Sequence, residues 1–189
     1  MSTGVEKIVS RVLPLLADDV DTDQIIPARY LKTTEKKGLG QVLFNDWRGT
    51  RFIPDSDAHI LLAGHNFGCG SSREHAVWAL TDAGIQAVVA RSFADIFRAN
   101  AMKNGLVPVM VDEHLHKFLR EARAANVDLK LTIDVRTAQL ILPDGEAVTF
   151  PIDPFAQKCL VEGIDELDYL KRNETAIAAF EARGAASAS

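Results

Sequence analysis

Apolar residues are distributed along this chain in three textures, and each predicts a different element. Short solid runs, at 59–63 (His59-Ile60-Leu61-Leu62-Ala63), 87–90 and 107–111, read as buried strands. Between and after them, apolar residues recur at helical spacing over 74–83 (Ala76, Leu80, Ala83), about 93–104 and about 113–125. From 129–135 and 139–142 the pattern becomes strictly alternating, and Pro143-Asp144-Gly145-Glu146 marks a turn before another apolar segment at 148–150. The first two textures alternate as an α/β unit, and the third adds an antiparallel meander. The opening residues 8–16 are apolar and β-compatible apart from Pro14, and they lead into an acidic turn, Asp18-Asp19-Val20-Asp21-Thr22-Asp23.

Residues 28–51 mix charges, glycines and scattered apolar side chains without a period, which predicts a mobile excursion lacking regular elements. Two short helices, about 154–162 and 173–183, are expected to close the structure, and 184–189 to form a frayed tail. No repeat, low-complexity block or linker interrupts the chain, so residues 1–183 are expected to form one domain.

The chain has 189 residues, 47% of them hydrophobic and 25% charged, enough for one substantial core. Its formal net charge of -5 argues against a general nucleic-acid or anionic-membrane binder, so no nucleic-acid partner is expected. Its apolar runs fall far short of the roughly 20 residues of a membrane helix, and its start lacks an export signal; no membrane association and a cytoplasmic location are expected. The two cysteines, Cys69 and Cys159, lie far apart and outside C-x-x-C spacing, so neither a disulfide framework nor a self-contained metal site is readable.

The richest chemistry is concentrated in Gly68-Cys69-Gly70-Ser71-Ser72-Arg73-Glu74-His75. Two readings of this turn stand side by side. Structurally, Ser71 and Glu74 have the S-x-x-E spacing of a capping box, and glycines before a helix are ordinary loop residues. Chemically, glycines let backbone approach a ligand, a helix start favours negative charge, an arginine after two serines can clamp a carboxylate, and a serine in that positive field can accept a proton. The lysine of a phosphate-binding loop is missing, and so is the G-x-S-x-G frame of a hydrolase elbow. A nucleophilic Cys69 beside His75 is the weaker option. The five histidines, including His114 and His116 at a charged helix start, are expected in surface or capping roles and not as metal ligands.

Three blocks, Asp21-Thr22-Asp23-Gln24-Ile25-Ile26-Pro27, Asn66-Phe67-Gly68-Cys69-Gly70-Ser71-Ser72-Arg73-Glu74-His75-Ala76 and Ser92-Phe93-Ala94-Asp95-Ile96-Phe97, resemble in order and spacing the small-subunit family of bacterial 3-isopropylmalate dehydratase, in the aconitase superfamily. The resemblance runs from about residue 5 to 183. It implies a layered β/β/α swivelling domain like the aconitase C-terminal domain. The implied activity is that of a hydro-lyase half-enzyme which isomerises 2-isopropylmalate and 3-isopropylmalate by dehydration and rehydration in leucine biosynthesis. A separate large subunit would carry a [4Fe-4S] cluster, and this chain would bind no cofactor or metal of its own. By the same resemblance Ser71 matches the catalytic base, and Ser72 and Arg73 match residues that bind substrate carboxylate. The segment Tyr30-Leu31-Lys32-Thr33 matches the loop that selects the substrate's alkyl group, and Asp21-Thr22-Asp23 is expected to brace the active turn.

Removing a weakly acidic C–H proton next to a carboxylate needs a base, a device to hold growing carboxylate charge, and an electrophile for the leaving hydroxide. This sequence offers candidates for the first two. The remaining alternatives are a small subunit acting on a homoaconitate- or methylmalate-type substrate, with 30–33 as the discriminating loop, and a non-catalytic anion-binding regulatory module.

Overall fold

In the computed structural model, which describes residues 4–31, 35–172 and 174, the longest strand organises the molecule. This strand, β1 (Lys7–Leu15), belongs to two sheets in turn. Its first part, Lys7 to Arg11, pairs antiparallel with β5 (Lys130–Asp134), and its second part, Val12 to Leu15, pairs parallel with β2 (Ile60–Ala63). With β3 (Ala87–Ala90), β4 (Val107–Met110), β6 (Gln139–Ile141) and β7 (Ala147–Thr149) this gives one curled seven-stranded sheet in the order β4-β3-β2-β1-β5-β6-β7. Strands β1 to β4 are mutually parallel, whereas β5, β6 and β7 form the antiparallel meander.

Pro14 fits inside β1 because of this change of partner. The Val12 N–H points toward the β5 side and meets the Leu129 carbonyl at 3.0 Å; Pro14, two residues on, directs its missing N–H to the same side, beyond the end of the β1–β5 pairing. There α4 (Glu113–Ala125) covers the split, and Arg123 Nε donates to the Val12 carbonyl at 2.8 Å.

Two cores lie on the two faces of the parallel strands. On one face Leu13, Leu15, Leu61, Ala63, Val88 and Ala90 pack under α2 (Glu74–Asp82) and α3 (Asp95–Lys103). Both crossover helices share this face, the arrangement that right-handed connections produce when strands are added in one direction. On the other face Ile60, Leu62, Val89 and Val109 meet the inward residues of the meander, Leu131, Ile133 and Leu140, with Leu160 of α5 (Pro154–Glu162). The layering is thus β/β/α, with two sheet layers and one helix layer.

Most strands and helices fall where the hydrophobic pattern placed them, α4 and α5 to the residue. Three expectations are corrected. Residues 28–51 are not an element-free excursion: they contain 3-10 turns at Ala28–Tyr30, Leu39–Val42 and Asn45–Trp47, and Leu39, Leu43 and Phe44 are buried in the helix-side core. Phe44 stacks on Trp47 and tilts against Phe52, 4.7 Å between centroids; short 3-10 turns have no hydrophobic period to recognise. The acidic turn continues into a short helix, α1 (Thr22–Ile25), whose Ile25 is fully buried. His116 is not a surface residue. It is 4% exposed, and its Nε2 lies 2.7 Å from the Ala63 carbonyl at the end of β2. A further helix, α6 (Glu166–Arg172), was not marked by the pattern. The expected helix at 173–183, apart from position 174, and the tail at 184–189 lie outside the described residues.

Candidate active site

The C-terminal ends of β1, β2 and β3 converge, and the Gly68 to Arg73 turn is held between the segments that leave β1 and β3. On the β1 side, Asp21 caps α1 by a capping box, its carboxylate taking the Gln24 N–H at 2.7 Å while Gln24 Oε1 takes the Asp21 N–H at 3.0 Å. The Thr22 N–H then donates to the Cys69 carbonyl and the Thr22 hydroxyl to the Ser71 carbonyl, each at 3.0 Å. The Gly68 N–H donates to Val20 O at 2.8 Å. On the β3 side, the Phe67 N–H meets Ser92 O at 3.0 Å and the Ala94 N–H meets Phe67 O at 3.1 Å. The three sequence blocks are therefore one spatial unit, and Asp21-Thr22 braces the turn through hydrogen bonds.

Gly68 is required on two counts. Its φ is +78°, and a Cβ there would stand 2.2 Å from Cγ of the buried Phe97 ring. Only a bare backbone can cross the start of α3 this closely, and that crossing brings Ser71 beside α3.

Helix α2 begins at Glu74 with Arg73 at the N-cap position and no side-chain cap, so the capping-box reading of Ser71 and Glu74 does not hold: Ser71 sits two residues ahead of the cap. Ser71 and Ser72 are instead exposed at the lip of a cavity of about 240 Å³, lined by Thr22, Ser71, Ser72, Arg73, Ile96 and Phe97 among others. Helix α3 also starts at this cavity, and its N-cap, Ala94, supplies no side-chain bond. The N-cap residue of α2 and the start of α3 thus both lie on one open volume, where helix N-termini and Arg73 favour an anion and the Asp95 carboxylate in the first turn of α3 works against it.

Arg73 adds a full charge. Its side chain is only 18% exposed and is ion-paired with Asp23. That contact, supported by the Ala28 backbone N–H, holds the Asp23 carboxyl below the usual carboxylate range. Burial, with Asp21 and Asp19 nearby, pushes the Cys69 thiol up, which works against a thiolate nucleophile at this position.

Tyr30 and Leu31 are half-buried against the helix-side core, and neither lines the cavity at Ser71. Lys32 and Thr33 lie outside the described residues. Cys69 and Cys159 are not joined by a disulfide and belong to different elements, the turn after β2 and helix α5. Among the described residues no group of three or more His, Cys, Asp or Glu side chains gathers to hold a metal ion, and these residues present no ligand set that fits an iron–sulfur cluster. Sequence reasoning missed Asp23 as the partner of Arg73, and Ile96 and Phe97 as cavity walls. The available signal was their presence in the same three blocks as the serines.

Comparison with known proteins agrees with this arrangement. The aconitase C-terminal domain family matches residues 51–114, which include the turn and the start of α3. The 3-isopropylmalate dehydratase small subunit of Herpetosiphon aurantiacus is 49% identical over 185 residues, spanning 94% of this chain and 92% of the relative. That of Anaeromyxobacter sp. strain K is 51% identical over 188 residues, spanning 94% and 96%. The crystal structure of 3-isopropylmalate dehydratase from Methanocaldococcus jannaschii superposes with a TM-score of 0.66 at 29% identity, covering 92% of this chain and 98% of that one. With relatives of this identity matched over nearly their full length, the chain belongs to the 3-isopropylmalate dehydratase small-subunit family.

Proposed function

We propose that this chain is the small subunit of a two-chain hydro-lyase that interconverts 2-isopropylmalate and 3-isopropylmalate through isopropylmaleate, a step of leucine biosynthesis. In the forward half-reaction a proton leaves the carbon beside a carboxylate, hydroxide leaves the neighbouring carbon, and a double bond forms. The return half-reaction adds water with the two positions exchanged. The Ser71 oxygen, as the alkoxide, is the base that takes the proton to become the hydroxyl and returns it in the hydration half-reaction, and Ser72 and Arg73 hold a substrate carboxylate. The observation that carries this reading is the grouping of Ser71, Ser72 and Arg73 at an open cavity where two helix N-termini meet.

An ordinary serine hydroxyl keeps its proton far above neutral pH, so a serine base requires a positive field. Arg73 and the start of α2, directly after the two serines, supply one. The same charges take up negative charge as it builds on the substrate carboxylate during deprotonation. We assign the [4Fe-4S] cluster and the departure of hydroxide to the large subunit, a reading supported by the family relationship and by the lack of a gathered ligand set among the described residues. The segment Tyr30-Leu31-Lys32-Thr33 is kept as a second candidate for the alkyl side of the substrate, although Tyr30 and Leu31 do not line the cavity at Ser71. No helix among the described residues is long and apolar enough to cross a membrane, and a cytoplasmic location follows from the proposed metabolic role.

The test is coexpression with a large subunit and an isopropylmalate assay that follows the unsaturated intermediate. Ser71→Ala is expected to lower kcat by a factor of about 10² to 10⁴, the usual worth of a positioned base, while the pair still coelutes on size exclusion. Wild-type kcat in that variant removes Ser71 from the mechanism.

A further inference from the structure

Among the large apolar side chains exposed in the described residues, Ile96 is the one that lines the cavity of Ser71, Ser72 and Arg73. Its setting does not call for an isoleucine. It is 56% exposed, so the fold gains little from burying it. It occupies the second position of α3, where the helix dipole favours an acidic or polar residue and where a β-branched side chain adds no helix propensity. The next residue, Phe97, is 3% exposed and anchors α3 by edge-on contact with Phe67, 5.2 Å between centroids, so Ile96 is presented from a fixed base.

The cavity is therefore two-sided. One wall carries two hydroxyls and a guanidinium, and the other carries the apolar Ala94, Ile96 and Phe97 beside the exposed carboxylate of Asp95, so the apolar surface on that wall is centred on Ile96. A ligand matching both walls is a small carboxylate with a branched alkyl substituent close to the ionised group. Resting on the function proposed above, we infer that Ile96 is a specificity-determining residue: its side chain is the apolar surface on which the isopropyl group of the substrate lies while Ser71 and Arg73 engage the carboxylate end. This wall belongs to the rigid start of α3 and is separate from the Tyr30 to Thr33 segment, which does not line the cavity among the described residues.

The experiment uses the assembled two-subunit enzyme and two substrates, 2-isopropylmalate and its analogue with methyl in place of isopropyl. In Ile96→Ala the ratio of kcat/KM for the isopropyl over the methyl substrate is expected to fall about tenfold, the worth of one or two methyl-sized contacts. Ile96→Leu, similar in volume, is expected to keep the ratio within about threefold of wild type. Size exclusion and a titration of the large subunit are run on each variant. An unchanged ratio in Ile96→Ala overturns the inference, as does an equal loss on both substrates that tracks weaker subunit association, which would make Ile96 a docking contact. A ratio that responds to Tyr30→Ala and not to Ile96→Ala overturns it in favour of the loop. Failure of the wild-type pair to turn over isopropylmalate is a different outcome and sinks the functional reading itself.

Discussion

Arg73 is ion-paired with Asp23 in the free chain, so in the proposed carboxylate-binding role the substrate has to share or replace that contact. Because the Asp23 pKa is held down, the pair persists at neutral pH and loosens only as pH falls through the depressed carboxylate value, so Asp23 adds no pH dependence near neutrality. Arg73→Lys keeps the charge but loses the planar two-pronged donor. It is expected to raise KM for isopropylmalate roughly tenfold with a smaller effect on kcat, and steady-state kinetics on the assembled enzyme would read this; an unchanged KM removes the clamp. Gly68 tests the backbone. Gly68→Ala combines left-handed strain with a collision at Phe97, so a loss of about 2–4 kcal/mol is expected in a denaturant titration. A neutral result there means the turn does not cross α3 as closely as described.

Between elements, the contact of α4 with β2 runs through His116, whose Nε2 meets the Ala63 carbonyl. Burial pushes the imidazole pKa down, with the carbonyl bond working partly against it. A histidine whose folded pKa lies below its unfolded value costs nothing while neutral in both states. It penalises the fold as pH drops below the ordinary imidazole value of about 6.5, because the unfolded chain then binds the extra proton more readily. His116→Gln keeps an N–H donor and removes the titration. Its Tm is expected to fall less than that of wild type between pH 7.5 and 5.5, and parallel Tm curves for the two proteins would assign the acid sensitivity elsewhere. Sequence reasoning missed this histidine because its neighbours in the helix are charged, and only the placement of α4 over the end of β2 buries it.

At the scale of the molecule, the described part of the chain contains the turn to which deprotonation and carboxylate binding are proposed to belong, and no gathered ligand set for a metal. The isolated chain is therefore expected to purify without stoichiometric iron and to keep its Tm within about 1 °C after chelation, as metal analysis and calorimetry would check. Chelation of the assembled enzyme is expected to abolish turnover. Iron bound stoichiometrically by the isolated chain contradicts the division of labour. The layered architecture suits this role, since the three segments that build the site all leave the same end of the parallel strands, where ligands bind in open α/β sheets.

The alternation of solid apolar runs with helical spacing was enough to determine the strands and the principal helices, because each side chain's face is set by a local period. The chemical content of the site was also local, since Ser71, Ser72 and Arg73 are adjacent in the chain. What the tertiary structure alone decided is everything that depends on partners distant in sequence. The split of β1 between two sheets is of this kind, and it is what accommodates Pro14. So are the packing of the periodless 28–51 segment through Leu39, Leu43 and Phe44, and the pairing of Arg73 with Asp23 fifty positions away. The apolar wall at Ile96 is another, because a period along one helix reports which face is buried but not which cavity the exposed face overlooks.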